Sequence, residues 1–296
     1  MRRIAILVLA AVAAPVVWAQ QDFSAVQIQT SEVAPGIYMM VGAGGNLGVS
    51  VGEDGAFLID DQFAPLSDKI MAAIGELTDA PVEFLVNTHW HGDHTGGNEA
   101  FGNAGAVIVA HDNVRVRMST EQFREIFDQR YPASPDAALP IVTFNDELTL
   151  HWNGHTIRAF HAGPAHTDGD AIIHFEEADV FHMGDNFFHG FFPFVDVSSN
   201  GDINGVISTG YRVLAMSNAG TRIIPGHGPL ATPDDLRDWL RVLRSTRESI
   251  QGLIDQGLSE DEVVAANPTA EYNESHGGGF MSPENYTRLV YQSLTR

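Results

Sequence analysis

Between Thr88 and His94 the chain reads Thr-His-Trp-His-Gly-Asp-His, which packs three imidazoles and one carboxylate into six consecutive positions. Imidazole and carboxylate are the ligands that hold zinc and similar divalent cations. His89 and His91 are two apart, so on an extended segment their side chains share one face. Gly92 then lets the chain turn, and Asp93 and His94 can point elsewhere. One short segment could therefore serve two neighbouring metals. A helical His-Glu-x-x-His site differs, because its ligands lie one helical turn apart.

Three further loops carry the same chemistry, and each follows an apolar strand-like run, where rigid support belongs. They are Gly163 to Asp170 with His166, Met183-Gly184-Asp185-Asn186, and Ile224 to Pro229 with His227. The chain has no Cys, which removes thiolates as ligands or nucleophiles. It has no Gly-x-Ser-x-Gly elbow for Ser-His-Asp catalysis. Ala43-Gly44-Gly45-Asn46 lacks the phosphate-loop pattern and reads as a simple hairpin tip.

Taken in order, His-x-His-x-Asp-His, a lone His in a Gly/Thr/Asp loop, Gly-Asp and Pro-Gly-His-Gly resemble the metallo-β-lactamase superfamily from about Val33 to His227. Asp60, ending Leu58-Ile59-Asp60, sits where that superfamily has a strand-terminal acid. The resemblance implies an α/β fold, a four-layer αβ/βα sandwich with metals on one edge of the sheets. It implies His89, His91 and His166 on one zinc, Asp93, His94 and His227 on a second, and Asp185 bridging both. Two zinc ions so held would lower the pKa of bound water toward ~7 and polarise a carbonyl. Asp93 would also act in catalysis by orienting the attacking water.

The departures from the family pattern bear on substrate. Many metallo-β-lactamases have Cys where this chain has Asp185, and many lack the His at position 94. The ligand set instead looks like that of glyoxalase II, lactonases and related hydrolases. Ser199-Asn200-Gly201-Asp202 is similar to the Asn-bearing substrate loop of exported β-lactamases, but the lysine they place three residues after the ligand is Phe188 here. Asn200, Phe188 and His189, in the aromatic loop Phe187 to Phe194, are the candidate substrate contacts. His161, His174 and His182 have no ligand slot and read as structural.

Several elements must position these residues. Val26 to Ile28, Ile37 to Val41, Leu47 to Val51, Ala56 to Ile59 and Val82 to Val86 read as strands. So do Ala106 to Ala110, Ile141 to Phe144, Leu148 to Trp152, Thr156 to Phe160, Ala171 to Phe175 and Val180 to Met183. Helical spacing covers Pro65 to Leu77, Asp112 to Met118, Ile203 to Met216, Pro233 to Ile254 and Pro283 to Leu294, with Thr232 as an N-cap before Pro233. Ser119 to Pro140 is polar and contains Pro. It reads as an insertion over one edge, with an amphipathic segment from Glu121 to Phe127.

At the N-terminus, Arg2 and Arg3 precede an apolar run from Ile4 to Val17, shorter than a spanning helix needs. Residues 1–19 therefore read as a signal peptide cut near Ala19, implying periplasmic or secreted protein without a membrane anchor. Residues 20–296 read as one hydrolase domain. Asp and Glu total 38 against 16 Lys and Arg, a net charge of −22. That excludes nucleic acid as a partner, because its phosphates would be repelled. The expected partner is a small-molecule substrate. Its favoured form is a β-lactam, then a lactone or thioester; a non-catalytic metal-binding protein or an iron redox protein stands behind both.

Overall fold

A computed structural model of the chain describes residues 22–296. The segment read as a signal peptide lies outside the described residues. Strands β1 (Gln29–Ala34), β2 (Ile37–Val41), β3 (Leu47–Gly52) and β4 (Gly55–Ile59) make an antiparallel meander. To it are added in parallel β5 (Val82–Val86), β6 (Val107–His111) and, past a small ribbon of β7 (Gln122–Arg124) and β8 (Gln129–Tyr131), β9 (Val142–Phe144). The second sheet runs β10 (Glu147–Trp152), β11 (His155–Phe160), β12 (Ile172–Phe175), β13 (Val180–His182) and β14 (Arg222–Ile224), with only its last pair parallel.

Side-chain alternation along the strands explains the layering. In β4, Phe57 and Ile59 face the second sheet, where they join Ile157, Ala159, Ile173 and Phe175 in a common core. Ala56 and Leu58 face the other way and pack with Leu66, Ile70 and Ile74, the last two on α1 (Ser67–Gly75). In the second sheet, Phe160, Ile172 and Phe181 point outward under helices. With α2 (Gly92–Thr95), α3 (Asn98–Asn103) and α4 (Asp112–Met118) belonging to the first half, those covering helices are α5 (Ile203–Met216), α6 (Pro233–Asp255) and, after α7 (Glu260–Ala265) and α8 (Asn273–His276), α9 (Pro283–Thr295). The order helix, sheet, sheet, helix is the four-layer αβ/βα sandwich expected.

Register brings the chemistry to one edge. Ile59 pairs with Val86, and Val86 with Val109, so β4, β5 and β6 end together. His182 pairs with Ile224 and Ile173, so the loops after β13 and β14 and the loop before β12 meet there too. Most expected elements fall within two residues of their places. Val26 to Ile28 is not a strand; the carbonyls of Phe23, Ser24 and Val26 instead accept from Lys69 Nζ at 2.9, 2.7 and 2.7 Å, and pairing begins at Gln29. Glu121 to Phe127 supplies β7 and a 3₁₀ turn, Glu125–Phe127. Gly92 opens a short helix where a turn was expected, and α2 carries Asp93 and His94.

Candidate metal centre

Past the end of β5 the chain bends through His89 and His91, then winds into α2, so its four ligand candidates point two ways. Ligand atoms of His89, His91, His166 and Asp185 lie within 4.8 Å of one another, as do those of Asp93, His94 and His227. Asp185 faces both groups. Its Oδ2 is 3.8 Å from His89 Nε2 and 3.5 Å from His166 Nε2. Its Oδ1 is 3.1 Å from His94 Nε2 and 3.4 Å from His227 Nε2. Asp93 Oδ2 stands 3.3 Å from His227 Nε2 and 3.6 Å from His94 Nε2. All seven residues of the motif reading thus converge.

The backs of these rings are held, and that fixes their tautomers. His94 Nδ1 donates to Asp60 Oδ2 at 2.7 Å, His91 Nε2 to Asp196 Oδ2 at 2.9 Å, and His166 Nδ1 to the Phe194 carbonyl at 2.6 Å. The Thr88 hydroxyl spends its proton on Asp60 at 2.7 Å, so His89 Nδ1, 3.0 Å away, must donate to it. In the His89, His91, His166 group the inward nitrogens are then bare lone pairs. His91 Nδ1 and His166 Nε2 face each other at 2.9 Å with no hydrogen to share. His89 Nε2, His94 Nε2 and Asp185 Oδ1 are buried without a hydrogen-bond partner. Buried acceptors turned on one another repel unless a cation lies among them. The residues present therefore fit divalent metal ions: imidazoles and carboxylates turned inward, with four of the five imidazoles oriented from behind.

Charge differs between the two groups. Burial, reinforced by His94 and His166, pushes His89 well below the usual imidazole range. Burial and then the Arg124 guanidinium push His91 down to about 3. In the other group burial opposes protonation, but Asp185 and Asp93 outweigh it and raise His227 to about 9. His94 is raised well above its ordinary value by Asp185, Asp93 and Asp60 against the same burial. Asp185 is itself buried, yet the surrounding imidazoles, His94 first, hold its carboxyl well below the ordinary range. The second group collects protons because its carboxylates invite positive charge.

Two glycines let backbone approach this closely. A Cβ on Gly45 would stand 2.1 Å from His94 Cε1, and one on Gly226 would stand 2.1 Å from Asp185 Oδ1. The hairpin tip is fastened to the His227 loop, since the Asn46 amide donates to the carbonyls of Pro225 and Gly228, each at 2.9 Å.

A cavity of about 750 Å³ opens over His91, Asp93, Asp185 and His227. Phe188 lines it and stacks on the His227 ring, centroids 5.2 Å apart. The other two candidate substrate contacts do not reach it. Asn200 adopts a left-handed backbone, and its amide donates to Asp168 Oδ2 at 2.7 Å, beside the Arg117–Asp168 pair. His189 turns behind Phe187, its Nδ1 2.9 Å from the Pro229 carbonyl. Asp196 was missed by the sequence reading; its signal is a lone acid within Phe192-Pro-Phe-Val-Asp-Val. The insertion also supplies Arg124, Phe127, Gln129 and Tyr131 to the cavity, which its polarity concealed.

A family model described as metallo-beta-lactamase superfamily matches residues 43–244. "Lactamase-like protein aptB" of Emericella nidulans is 24% identical over 210 residues, 66% of this chain and 59% of that protein. "Atrochrysone carboxyl ACP thioesterase" of Aspergillus terreus is 29% identical over 210 residues, 69% of this chain and 52% of that protein. The chain thus spans little more than half the length of these curated relatives. Among solved structures, a metallo-beta-lactamase from Pontibacter korlensis is similar with a TM-score of 0.61 and 18% identity, over 74% of this chain and 99% of that one. The stereoselective inverting sec-alkylsulfatase Pisa1 from Pseudomonas sp. is similar with a TM-score of 0.67 and 16% identity, over 90% of this chain and 50% of that one. At these identities the likeness to solved structures concerns the fold alone.

Proposed function

The chain belongs to the metallo-beta-lactamase superfamily, and from that premise we propose that it is a hydrolase of carbonyl–heteroatom bonds using two zinc ions. The observation that carries this reading is Asp185, whose two oxygens address two separate groups of ligand atoms. Zinc bound by His89, His91 and His166, and by Asp93, His94 and His227, would supply Lewis acidity and a water made nucleophilic near neutral pH. The chain's own residues do the remainder. Asp185 offsets charge between the groups. Asp93, partly exposed beside the cavity, accepts a proton and orients water. Asp60, Thr88 and Asp196 keep the imidazoles aimed.

The preferred bond is a thioester or lactone, supported by the all-His/Asp ligand set and by similarity to a protein named a thioesterase. A β-lactam is the second reading, favoured by one observation: Arg124 lines the cavity and could take the carboxylate that a lysine at position 188 would otherwise hold. Turnover of thioesters, lactones and β-lactams by zinc-loaded protein decides between them. Inertness toward all three classes defeats the hydrolase reading. Export belongs to the same proposal. Protein recovered from the periplasm of its native host should begin near Gln20, and a mass showing an intact Met1 there would contradict it.

A further inference from the structure

Arg124, at the end of β7, is the one Lys or Arg lining the cavity among the described residues. It is buried, 7% exposed, and its guanidinium is clamped between the rings of Trp90 and Tyr131 at 4.6 and 4.3 Å. Trp90 is fixed in turn by donating to Ser199 Oγ at 3.1 Å. Such stacking orients the planar cation without consuming its hydrogens. Those hydrogens are almost unspent. Nε and Nη2 have no acceptor, and Nη1 has only the Tyr131 hydroxyl at 3.5 Å. Asp196 Oδ2 lies 3.9 Å from Nε, but the Asp196 carboxylate already accepts from His91, Ser198 and Ser199.

A buried, preorganised cation whose nearest anion is already taken up by three other donors is a cost to the fold unless a ligand completes it. Away from the ligand candidates, much of the cavity wall is apolar. Phe63, Phe127, Phe188, Phe191, Phe194 and Phe280 share the cavity, and Phe280, 71% exposed, leans on Phe127 at the rim with centroids 5.4 Å apart. Apolar walls around one positive charge suit a molecule with an apolar body and one negative charge. On a chain of net charge −22, an anion enters only where a local cation outweighs the general field.

Resting on the hydrolase reading above, we propose that Arg124 is the specificity residue of this site and selects esters or thioesters whose apolar body bears a carboxylate. The alternative is that Arg124 merely braces Asp196 and, through it, His91. Calorimetry on the full-length chain, with its metals and after their removal, separates the two, using 4-phenylbutyrate against its uncharged amide. The acid should bind about tenfold more tightly than the amide, and Arg124→Gln should abolish that preference in both metal states. Arg124→Met, which keeps an unbranched apolar stem without the charge, carries the same test should the Gln variant fail to fold. Equal affinity of acid and amide in the unaltered chain, no measurable binding of either, or a preference that survives loss of the charge overturns the proposal. A variant that loses metal while keeping the preference assigns Arg124 to bracing.

The turnover arm uses the S-phenyl thioester of adipic acid and its methyl-capped twin. Arg124→Gln should raise KM for the acid about tenfold and leave kcat, and the capped twin, little changed. Absence of turnover of every ester would sink the hydrolase reading, while the binding arm would still decide the role of Arg124.

Discussion

Replacing Asp185 by Asn keeps its shape and removes the charge that both ligand groups share. Zinc content should fall by one equivalent, and turnover roughly 100-fold or more. Unchanged metal content in Asp185→Asn, measured by plasma emission, would take Asp185 out of the site. Asp185→Cys restores an anionic ligand and should retain zinc. Protonation distinguishes the two groups further. His227, with its pKa raised to about 9, is protonated at pH 7 in the metal-free protein, so a cation must displace that proton. His89 and His91 are neutral there and release nothing. Affinity at the Asp93, His94, His227 group should therefore climb as pH rises toward about 9, while His89 and His91 add little pH dependence above pH 7. Calorimetry in buffers of different ionisation heat reads this directly; two equal proton counts would contradict it. The ligands were legible in sequence because metal chemistry restricts both residue type and spacing. Asn200 and His189 were not, because a substrate contact depends on where a loop aims its side chain. At Asn200 that aim is set by the Arg117–Asp168 pair, far along the chain.

Among elements, the hairpin tip Ala43 to Asn46 does more than turn. Asn46 donates to two carbonyls of the Pro225 to Gly228 loop, and its backbone nitrogen donates to Gly226 at 2.7 Å. Asn46→Ala leaves the buried Pro225 carbonyl and the half-buried Gly228 carbonyl without this donor and should cost about 1–3 kcal/mol. It should weaken the metal group containing His227 more than the other. Denaturant unfolding with metal titration checks both, and an equal loss at the two groups would count against the tip as a positioning device. The long helices were readable from their ends, whereas the short α3, α7 and α8 were not. Thr232 accepts from the Asp235 amide while Asp235 accepts from Thr232, so the signal that opens α6 is written within four residues. The β7–β8 ribbon was hidden for the opposite reason. Its pairing is set by a turn with Asp128 in left-handed geometry and by packing of Tyr131 under Trp90, neither of which leaves a periodicity to read.

Across the whole molecule, the sandwich was expected from the family resemblance that the ligand motifs carry, but the course of the C-terminal segment could not be read. Residues beyond the family match at 244 include Gly279 and Phe280, which complete the cavity rim. Loading metal into a prebuilt edge should stabilise the fold. Two zinc equivalents per chain should raise Tm, and chelation should reverse the gain and abolish turnover. Saturation at one equivalent would refute the dinuclear assignment. His89, His91, Asp93 and His94 arise from the first sheet, and His166, Asp185 and His227 from the second. Neither group is complete within one half. A ribosome must therefore pass His227 before the Asp93, His94, His227 group is complete, whereas every member of the other group is present once Asp185 has been made. A product truncated before β14 would keep every member of one group and lose His227 from the other, so the finished chain and its fragment would differ in the sites they could fill.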